Sequence, residues 1–118
     1  MNISKSMVGD IAVIKLNGRL DLETSKTLKG LTKELMADNH NKMIFDLTDV
    51  DFINSSGLGT LVSILRDVNS KKGNLELCSL APYIQEIFEI THLSSIFRIY
   101  ENEEEALSSF AVTENKTE

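Results

Sequence analysis

A chain of 118 residues, of which 42% are hydrophobic, is long enough and apolar enough to bury the core of one domain. Its formal net charge of −6 argues against a nucleic-acid surface, because phosphate binding needs clustered lysine and arginine side chains. The single cysteine, Cys78, excludes an internal disulfide, and no apolar run approaches the about 18 residues typical of a membrane span. We therefore expect one cytoplasmic domain that binds proteins and does not insert into a membrane.

The first third of the chain contains two strand patterns and one helical pattern. An edge strand is expected around Asn2–Met7, and Ile11–Leu16 is rich in the β-branched residues that favour strands. Thr24 is the expected N-cap of a first helix that ends near Ala37. Apolar residues at helical spacing predict its buried face: Leu28, Leu31, Leu35 and Met36.

The middle of the chain predicts a central strand, a polar loop and a second helix. Met43–Leu47 is a short apolar run of the kind found in strands that are covered on both faces. The segment Asp51–Gly59 follows it as a loop between strand and helix. Apolar residues then predict the buried face of the second helix: Leu58, Leu61, Val62, Leu65 and Val68. Two lysines and Gly73 are expected to end this helix.

The last third of the chain predicts two further strands and two further helices. Leu75–Leu80 reads as a strand, and Pro82 is suited to the first position of a third helix. Four residues predict the buried face of that helix: Tyr83, Ile87, Phe88 and Ile90. Phe97–Tyr100 reads as a fifth strand, and Asn102 with Glu105 resembles a capping pair. The fourth helix would bury three residues: Ala106, Leu107 and Phe110.

The alternation of strands and helices predicts an α/β fold. Right-handed crossovers would join the strands into a mixed, mainly parallel sheet of four or five strands with about four helices, and the N-terminal strand would add to its edge in antiparallel orientation. We expect residues 1–112 to form this single domain. Residues 113–118 lack apolar side chains and are expected to form a disordered polar tail.

The segment Asp51–Gly59 is the part of the chain best suited to carry chemistry. Two hydroxyls and two glycines lie where a loop meets a helix N-terminus, which exposes backbone N–H groups and favours an attached phosphate. This arrangement suits regulated phosphorylation of a serine. A purely structural role is the alternative, since Asn54, Ser55 or Ser56 could simply cap the helix.

The same segment is similar to the signature of the STAS domain of bacterial anti-sigma factor antagonists. In that signature an Asp-Ser-Ser-Gly-Leu-Gly or Asp-Ser-Thr-Gly-Leu-Gly run carries a phosphorylated serine. The turn Gly18–Asp21 resembles the family's Gly-x-Leu-Asp turn, Met43–Leu47 its strand before the signature, and Ile87–Ile99 its third helix and last strand. The resemblance covers about residues 8–110 and implies a single STAS-like domain.

The resemblance also implies functional roles. Ser55 matches the family's phosphoacceptor, and an anti-sigma factor serine kinase would bind the unphosphorylated protein and be released when Ser55 is phosphorylated. The implied contact residues are Asp21, Asn54, Ser56, Gly57, Leu58 and Gly59. A serine phosphatase would reverse the modification. The chain would be a regulatory binding protein rather than an enzyme, without cofactor or metal, and a homodimer is compatible with this role.

One position departs from the family pattern. The acidic residue before the phosphoserine is Asn54 here, which keeps the capping ability of aspartate but loses its charge. A STAS scaffold that is never phosphorylated, or a subunit of a larger regulatory or transport complex, is therefore the alternative function.

Other kinds of site find less support in the sequence. Val62 stands where a dinucleotide-binding fingerprint needs its third glycine, and Ile53 stands where the nucleophile elbow of a serine hydrolase needs its first. His40, His92 and Cys78 have no recognisable metal-ligand spacing. A small-molecule or nucleotide binder that uses the helix N-terminus as an anion site is the remaining alternative.

Overall fold

The computed structural model describes the backbone of residues 2–116 and the side chains of residues 2–110. The strands are β1 Asn2–Val8, β2 Ile11–Leu20, β3 Lys42–Ile53, β4 Asn74–Cys78 and β5 Arg98–Tyr100. The helices are α1 Leu22–Ala37, α2 Ser55–Ser70, α3 Pro82–Ile90 and α4 Glu103–Lys116, and a short 3-10 helix spans Leu93–Ser95. The predicted α/β class is confirmed.

The five strands form one sheet in the order β1-β2-β3-β4-β5. β1 and β2 form an antiparallel hairpin whose two-residue loop starts at Gly9, where a φ of +63° suits glycine. The other neighbouring strands are parallel, and α1, α2 and α3 are the crossovers between them. Because these crossovers all move across the sheet in the same direction, their common right-handedness places the three helices on one face.

Alternating side chains of the central strands supply two separate cores. On one face, Leu16, Phe45 and Leu77 belong to the large cluster that packs under α1, α2 and α3. On the other face, the residues in between pack against α4. That smaller cluster contains Ile11, Val13, Ile44, Cys78, Ala106 and Phe110. The two-residue period of β-strands thus explains why the predicted central strands are apolar almost throughout.

The predicted buried faces of α2 and α3 need correction, and in α1 the predicted Leu31 and Met36 are only partly buried. In α2, Leu61 is fully buried as expected, whereas Val62 and Leu65 are only partly buried against the core. The centre of the buried face instead follows Gly57, Leu61, Ile64 and Val68. In α3 the prediction of Tyr83 and Ile90 was wrong, because they are 48% and 69% exposed. Its buried residues are Ile84 and Phe88.

The helix ends also differ from the expectation. Asp21, not Thr24, caps α1, because β2 continues to Leu20 and brings the chain to the helix three residues earlier. At the end of α2 the left-handed conformation belongs to Lys72, with a φ of +58°, and not to Gly73. Glycine is required at position 73 for a steric reason instead, because a Cβ there would lie 2.2 Å from the backbone oxygen of Asn41.

The C-terminal boundary stays a prediction. α4 extends to Lys116 and so includes most of the segment expected to be a disordered polar tail, residues 113–118. Residues 117 and 118 lie outside the described part of the chain, as do the side chains from 111 onward.

At the start of α4 the predicted cap is present, because the backbone N–H of Glu105 donates to Asn102 Oδ1 at 2.8 Å.

Candidate functional site

The carboxyl ends of β2 and β3 lie side by side and bring two helix N-termini together. Leu20 at the end of β2 pairs with Ile53 at the end of β3. The backbone N–H of Asn54 then donates to the carbonyl oxygen of Leu20 at 3.3 Å. Since α1 begins at Leu22 and α2 at Ser55, the first turns of both helices open at the same edge of the sheet.

Gly57 sets how closely α2 approaches β2. It is buried, and a Cβ at this position would lie 2.3 Å from the carbonyl oxygen of Leu20 and 3.1 Å from Cγ1 of Ile53. Real Cβ atoms do not approach backbone oxygens this closely. The fold therefore requires the absence of a side chain at Gly57, and a role of this residue in partner binding stays a prediction.

Asn54 is the N-cap of α2. Its Oδ1 accepts a hydrogen bond from the backbone N–H of Gly57 at 3.0 Å, and its backbone is extended with φ −112° and ψ −176°. This geometry assigns the capping role, which the sequence left open among three residues, to Asn54. Carboxylate and amide oxygens cap helices equally well, so the asparagine preserves the fold of the loop without adding a charge.

The hydroxyl of Ser55 is available for chemistry. Ser55 is the first residue of α2 and is exposed, whereas Ser56 is half-buried. No hydrogen bond within the described residues holds either hydroxyl. Because Asn54 already provides the side-chain cap of α2, the hydroxyl of Ser55 is not needed for that role.

Asp21 caps the neighbouring helix in a reciprocal arrangement. The backbone N–H of Thr24 donates to Asp21 Oδ1 at 3.2 Å, and the backbone N–H of Asp21 donates to Thr24 Oγ1 at 2.9 Å. The hydrogen bond from the Thr24 backbone is the main reason why the pKa of Asp21 is lowered, and the Arg19 guanidinium acts in the same direction. The carboxylate of Asp21 therefore stays ionised at neutral pH.

Sequence reasoning missed two side chains at this edge. Arg19 stacks over the ring of Phe52, with its Cζ 3.8 Å from the ring centroid, because these residues are neighbours in the β2–β3 register. Leu22, the first residue of α1, is 60% exposed. The strand pairing that joins Arg19 to Phe52 could not be read from the sequence. Leu22 could have been identified, because it is an apolar residue directly after the helix cap.

Gly59 and Leu58 complete the first turns of α2. Gly59 is exposed and has open space around the direction of its missing side chain, whereas Leu58 is partly buried against the core. We call the exposed and half-exposed residues at this edge the Ser55 surface: Asp21, Asn54, Ser55, Ser56 and Gly59. The structure therefore brings most of the predicted contact residues together, with Gly57 and much of Leu58 beneath them.

The residues considered for metal binding lie elsewhere. Cys78 is buried in the core below α4, and burial raises the pKa of its thiol to about 11. In the described part of the chain, no three histidine, cysteine or carboxylate side chains are grouped so as to hold a metal ion. Among the same residues, no helix has both the length and the apolar character that crossing a membrane requires.

The family model of the STAS domain matches residues 2–106. The chain belongs to the STAS domain family. A candidate anti-sigma factor antagonist of Thermotoga neapolitana is 32% identical over 102 residues, which are 86% of this chain and 90% of the relative. Within the STAS family the chain is thus similar to anti-sigma factor antagonists.

Solved structures show the same similarity. The crystal structure of a candidate anti-sigma factor antagonist of Thermotoga maritima superposes with a TM-score of 0.86 and 28% identity, covering 91% of this chain and 92% of the other. The phosphorylated form of SpoIIAA, a Bacillus cell fate determinant, gives a TM-score of 0.74 at 22% identity, with 92% and 99% coverage. The structure of the anti-sigma factor antagonist SpoIIAA is also known in its unphosphorylated form. The SpoIIAA comparison shows a shared fold.

Proposed function

We propose that this STAS protein is an anti-sigma factor antagonist whose binding to an anti-sigma factor serine kinase is switched by phosphorylation of Ser55. The observation that carries the proposal is the division of roles between two neighbours. Asn54 caps α2, which leaves the exposed hydroxyl of Ser55 without a structural duty. A kinase can therefore modify Ser55 without breaking a bond on which the fold depends.

The first turn of α2 can accommodate a phosphate on Ser55. Asn54 uses the N–H of Gly57, but the N–H groups of Ser55 and Ser56 point to the same end of the helix, where the macrodipole favours negative charge. The modified protein should thus keep its fold. Phosphorylation would instead change the affinity for the partner, which would face about −1.5 to −2 additional charges in a close contact.

Release of the kinase follows from this charge. Asp21 is ionised at the same edge, so the phosphate joins an existing carboxylate and makes the Ser55 surface strongly anionic. Changing a partner from nearly all bound to nearly all free takes about 5 kcal/mol of differential affinity. Repulsion and the desolvation of a phosphate at an interface are effects of that size.

The known forms of SpoIIAA support this mechanism, because a protein of the same fold exists both with and without phosphate. A serine phosphatase would return Ser55 to its hydroxyl form. In this role the chain is a cytoplasmic binding protein and catalyses no reaction itself, and the ATP belongs to the kinase.

The test is phosphorylation by the kinase of the same bacterium, followed by mass spectrometry of the product. We expect one phosphate on Ser55, none on Ser55→Ala, and full binding of the kinase by Ser55→Ala. Ser56→Ala is the matched control, since it should still be phosphorylated at Ser55. Ser55→Asp should bind the kinase more weakly than the parent, although a carboxylate carries less charge than a phosphate.

Labelling of Ser56, or equal labelling of Ser55→Ala and the parent, would show that the site is wrong. If the kinase binds but labels neither serine, the loss of the acidic residue at Asn54 has removed phosphorylation and the chain is a constitutive STAS scaffold. Calorimetry with GTP, ATP and phosphate distinguishes the phosphorylation switch and the scaffold from an anion-binding module. Only the anion-binding module would bind such ligands at submillimolar concentration.

A further inference from the structure

A groove of about 330 Å³ lies between α1 and α2, directly beside the Ser55 surface. Its lining includes Leu22, Ser25, Lys26, Lys29, Lys33 and Thr60. Leu22 follows Asp21, and Thr60 follows Gly59, so the groove starts where the Ser55 surface ends. A partner that covers the Ser55 surface can therefore also contact the adjoining groove.

The groove is cationic although the chain as a whole is acidic. Lys26, Lys29 and Lys33 occur at a spacing of three and four residues and so share one side of α1. Lys29 contacts the Ser63 hydroxyl and has Asp67 at 3.9 Å. Lys26 and Lys33 are exposed, and within the described residues neither has a carboxylate in ion-pair range. Neither end of the lysine row is therefore held in a direct ion pair within the described residues.

Ser25 gives the groove a polar group that lacks a partner. The residue is only 3% exposed, and its hydroxyl has no hydrogen-bond partner among the described residues. Buried polar groups are nearly always hydrogen-bonded, because an unpaired one loses the bond that it could form with water. Since Ser25 lines the groove, an occupant that reaches its hydroxyl would supply the missing bond.

We propose that this groove binds an acidic segment of the partner protein that covers the Ser55 surface. The proposal rests on the proposed function, and it adds the chemistry of the partner. Carboxylates of the segment pair with Lys26 and Lys33, and a backbone carbonyl or polar side chain accepts a hydrogen bond from Ser25. The exposed Leu22 and the methylene stems of the lysines provide apolar contact for the same segment.

The length of the lysine row favours a peptide over a small anion. Lys26 and Lys33 are seven positions apart in the α-helix, a distance of about 10 Å along the axis. A single phosphate cannot reach both ends, whereas carboxylates a few residues apart in a peptide can. The same row explains how a protein with a net charge of −6 can attract an acidic partner to one side.

Fluorescence anisotropy at low ionic strength tests the proposal on the full chain. The probe is a short fluorescein-labelled peptide that repeats Glu-Glu-Leu-Ala, compared with a peptide in which glutamine replaces glutamate. We expect the acidic peptide to bind more tightly and the double variant Lys26→Ala/Lys33→Ala to lower its affinity about tenfold. Rising salt should weaken the binding, because exposed charges are screened.

The double variant Lys5→Ala/Lys15→Ala is the matched control, since it removes two exposed lysines from β1 and β2 and should leave the affinity for the peptide unchanged. Ser25→Ala is a second test variant, because it should weaken peptide binding without lowering the midpoint of urea unfolding. Equal affinity of the parent and Lys26→Ala/Lys33→Ala overturns the proposal.

Displacement of the peptide by millimolar inorganic phosphate, but not by sodium chloride at the same ionic strength, also overturns it, because the groove would then be a small-anion site. The outcome does not depend on the switch at Ser55. Absence of phosphorylation would contradict the proposed function and leave the peptide result standing, and a failed peptide experiment would leave phosphorylation standing.

Discussion

At the level of single residues, the site separates structural from functional roles over a few positions. Asn54 caps α2, Gly57 lets α2 approach Leu20, and Ser55 between them faces solvent. Gly59, two residues after Gly57, has open space instead of backbone next to it. Two glycines that look alike in the sequence therefore serve different purposes, and substitution can tell them apart.

Gly57→Ala should destabilise the protein by about 1–3 kcal/mol, because the new methyl group would collide with the Leu20 carbonyl and force the backbone to shift. Gly59→Ala is the matched control. It meets open space and should stabilise the helix by up to about 1 kcal/mol through better helix propensity. Urea unfolding measures both changes, and shifts of the same sign would contradict the distinction.

Gly59→Glu should lower the affinity for the kinase without lowering the unfolding midpoint below that of the parent. The added side chain has room in the isolated protein but would stand between two closely packed surfaces in the complex. Titration calorimetry with the purified kinase measures the affinity. Gly59→Ala is the control, because it replaces the glycine without adding a long side chain. An affinity for Gly59→Glu equal to that of the parent would move the interface away from the Ser55 surface.

At the level of secondary structure elements, sequence periodicity predicted the existence and order of the main strands and helices but not the orientation of every helix. The apolar residues of α2 occupy a wide arc, and only packing decides which of them lie at its centre. In α3 the predicted face included Tyr83 and Ile90, yet the helix is rotated so that Ile84 and Phe88 meet the sheet. Helix rotation depends on the neighbouring strands, which a local pattern does not describe.

The candidate site shows the same limit. The segment Asp51–Gly59 was identified from its residue types and its resemblance to a signature, and Asn54 was among the expected caps. The sequence did not reveal that β3 continues to Ile53, or that this register stacks Arg19 on Phe52. Both depend on pairing between strands that are far apart in the chain, and so does the groove between α1 and α2.

The corrected face of α2 can be tested with a pair of substitutions. Leu61→Ala should cost about 2–5 kcal/mol of unfolding free energy, because Leu61 is fully buried and its truncation leaves a cavity. Val62→Ala, at the next position, should cost about 1 kcal/mol or less, since Val62 is only partly buried. Chemical denaturation distinguishes the two, and equal losses would show that the centre of the face is misplaced.

At the scale of the whole molecule, the sheet is covered unequally on its two faces. Three helices cover the face that leads to the Ser55 surface, and α4 covers the other. The interface between α4 and the sheet contains an unusual charged residue. Glu76 of β4 is 1% exposed, and the Ser109 hydroxyl lies 2.6 Å from its Oε1 and 2.8 Å from its Oε2. One Arg98 nitrogen lies 3.9 Å from Oε2.

This buried carboxylate should make stability depend on pH. Burial raises the pKa of Glu76 above its ordinary value of 4.5, and the Ser109 hydrogen bond and the Arg98 charge only partly oppose the effect. The folded state then binds the proton more tightly than the unfolded state does. By linkage, the contribution of Glu76 to stability is complete below the unfolded pKa and is lost as pH rises through the folded pKa.

Glu76→Gln should therefore raise the melting temperature at pH 7, because the amide avoids the cost of a buried charge and can still accept the Ser109 hydrogen bond. The gain should shrink as pH falls towards about 4, where Glu76 of the parent is itself protonated. Arg98→Ala is the companion variant. It removes the nearby cation, so it should lower the melting temperature at pH 7 more than at pH 4. Calorimetric melting across this pH range measures both variants, and a Glu76→Gln protein that is less stable than the parent at pH 7 would show that the carboxylate is stabilised by its neighbours after all.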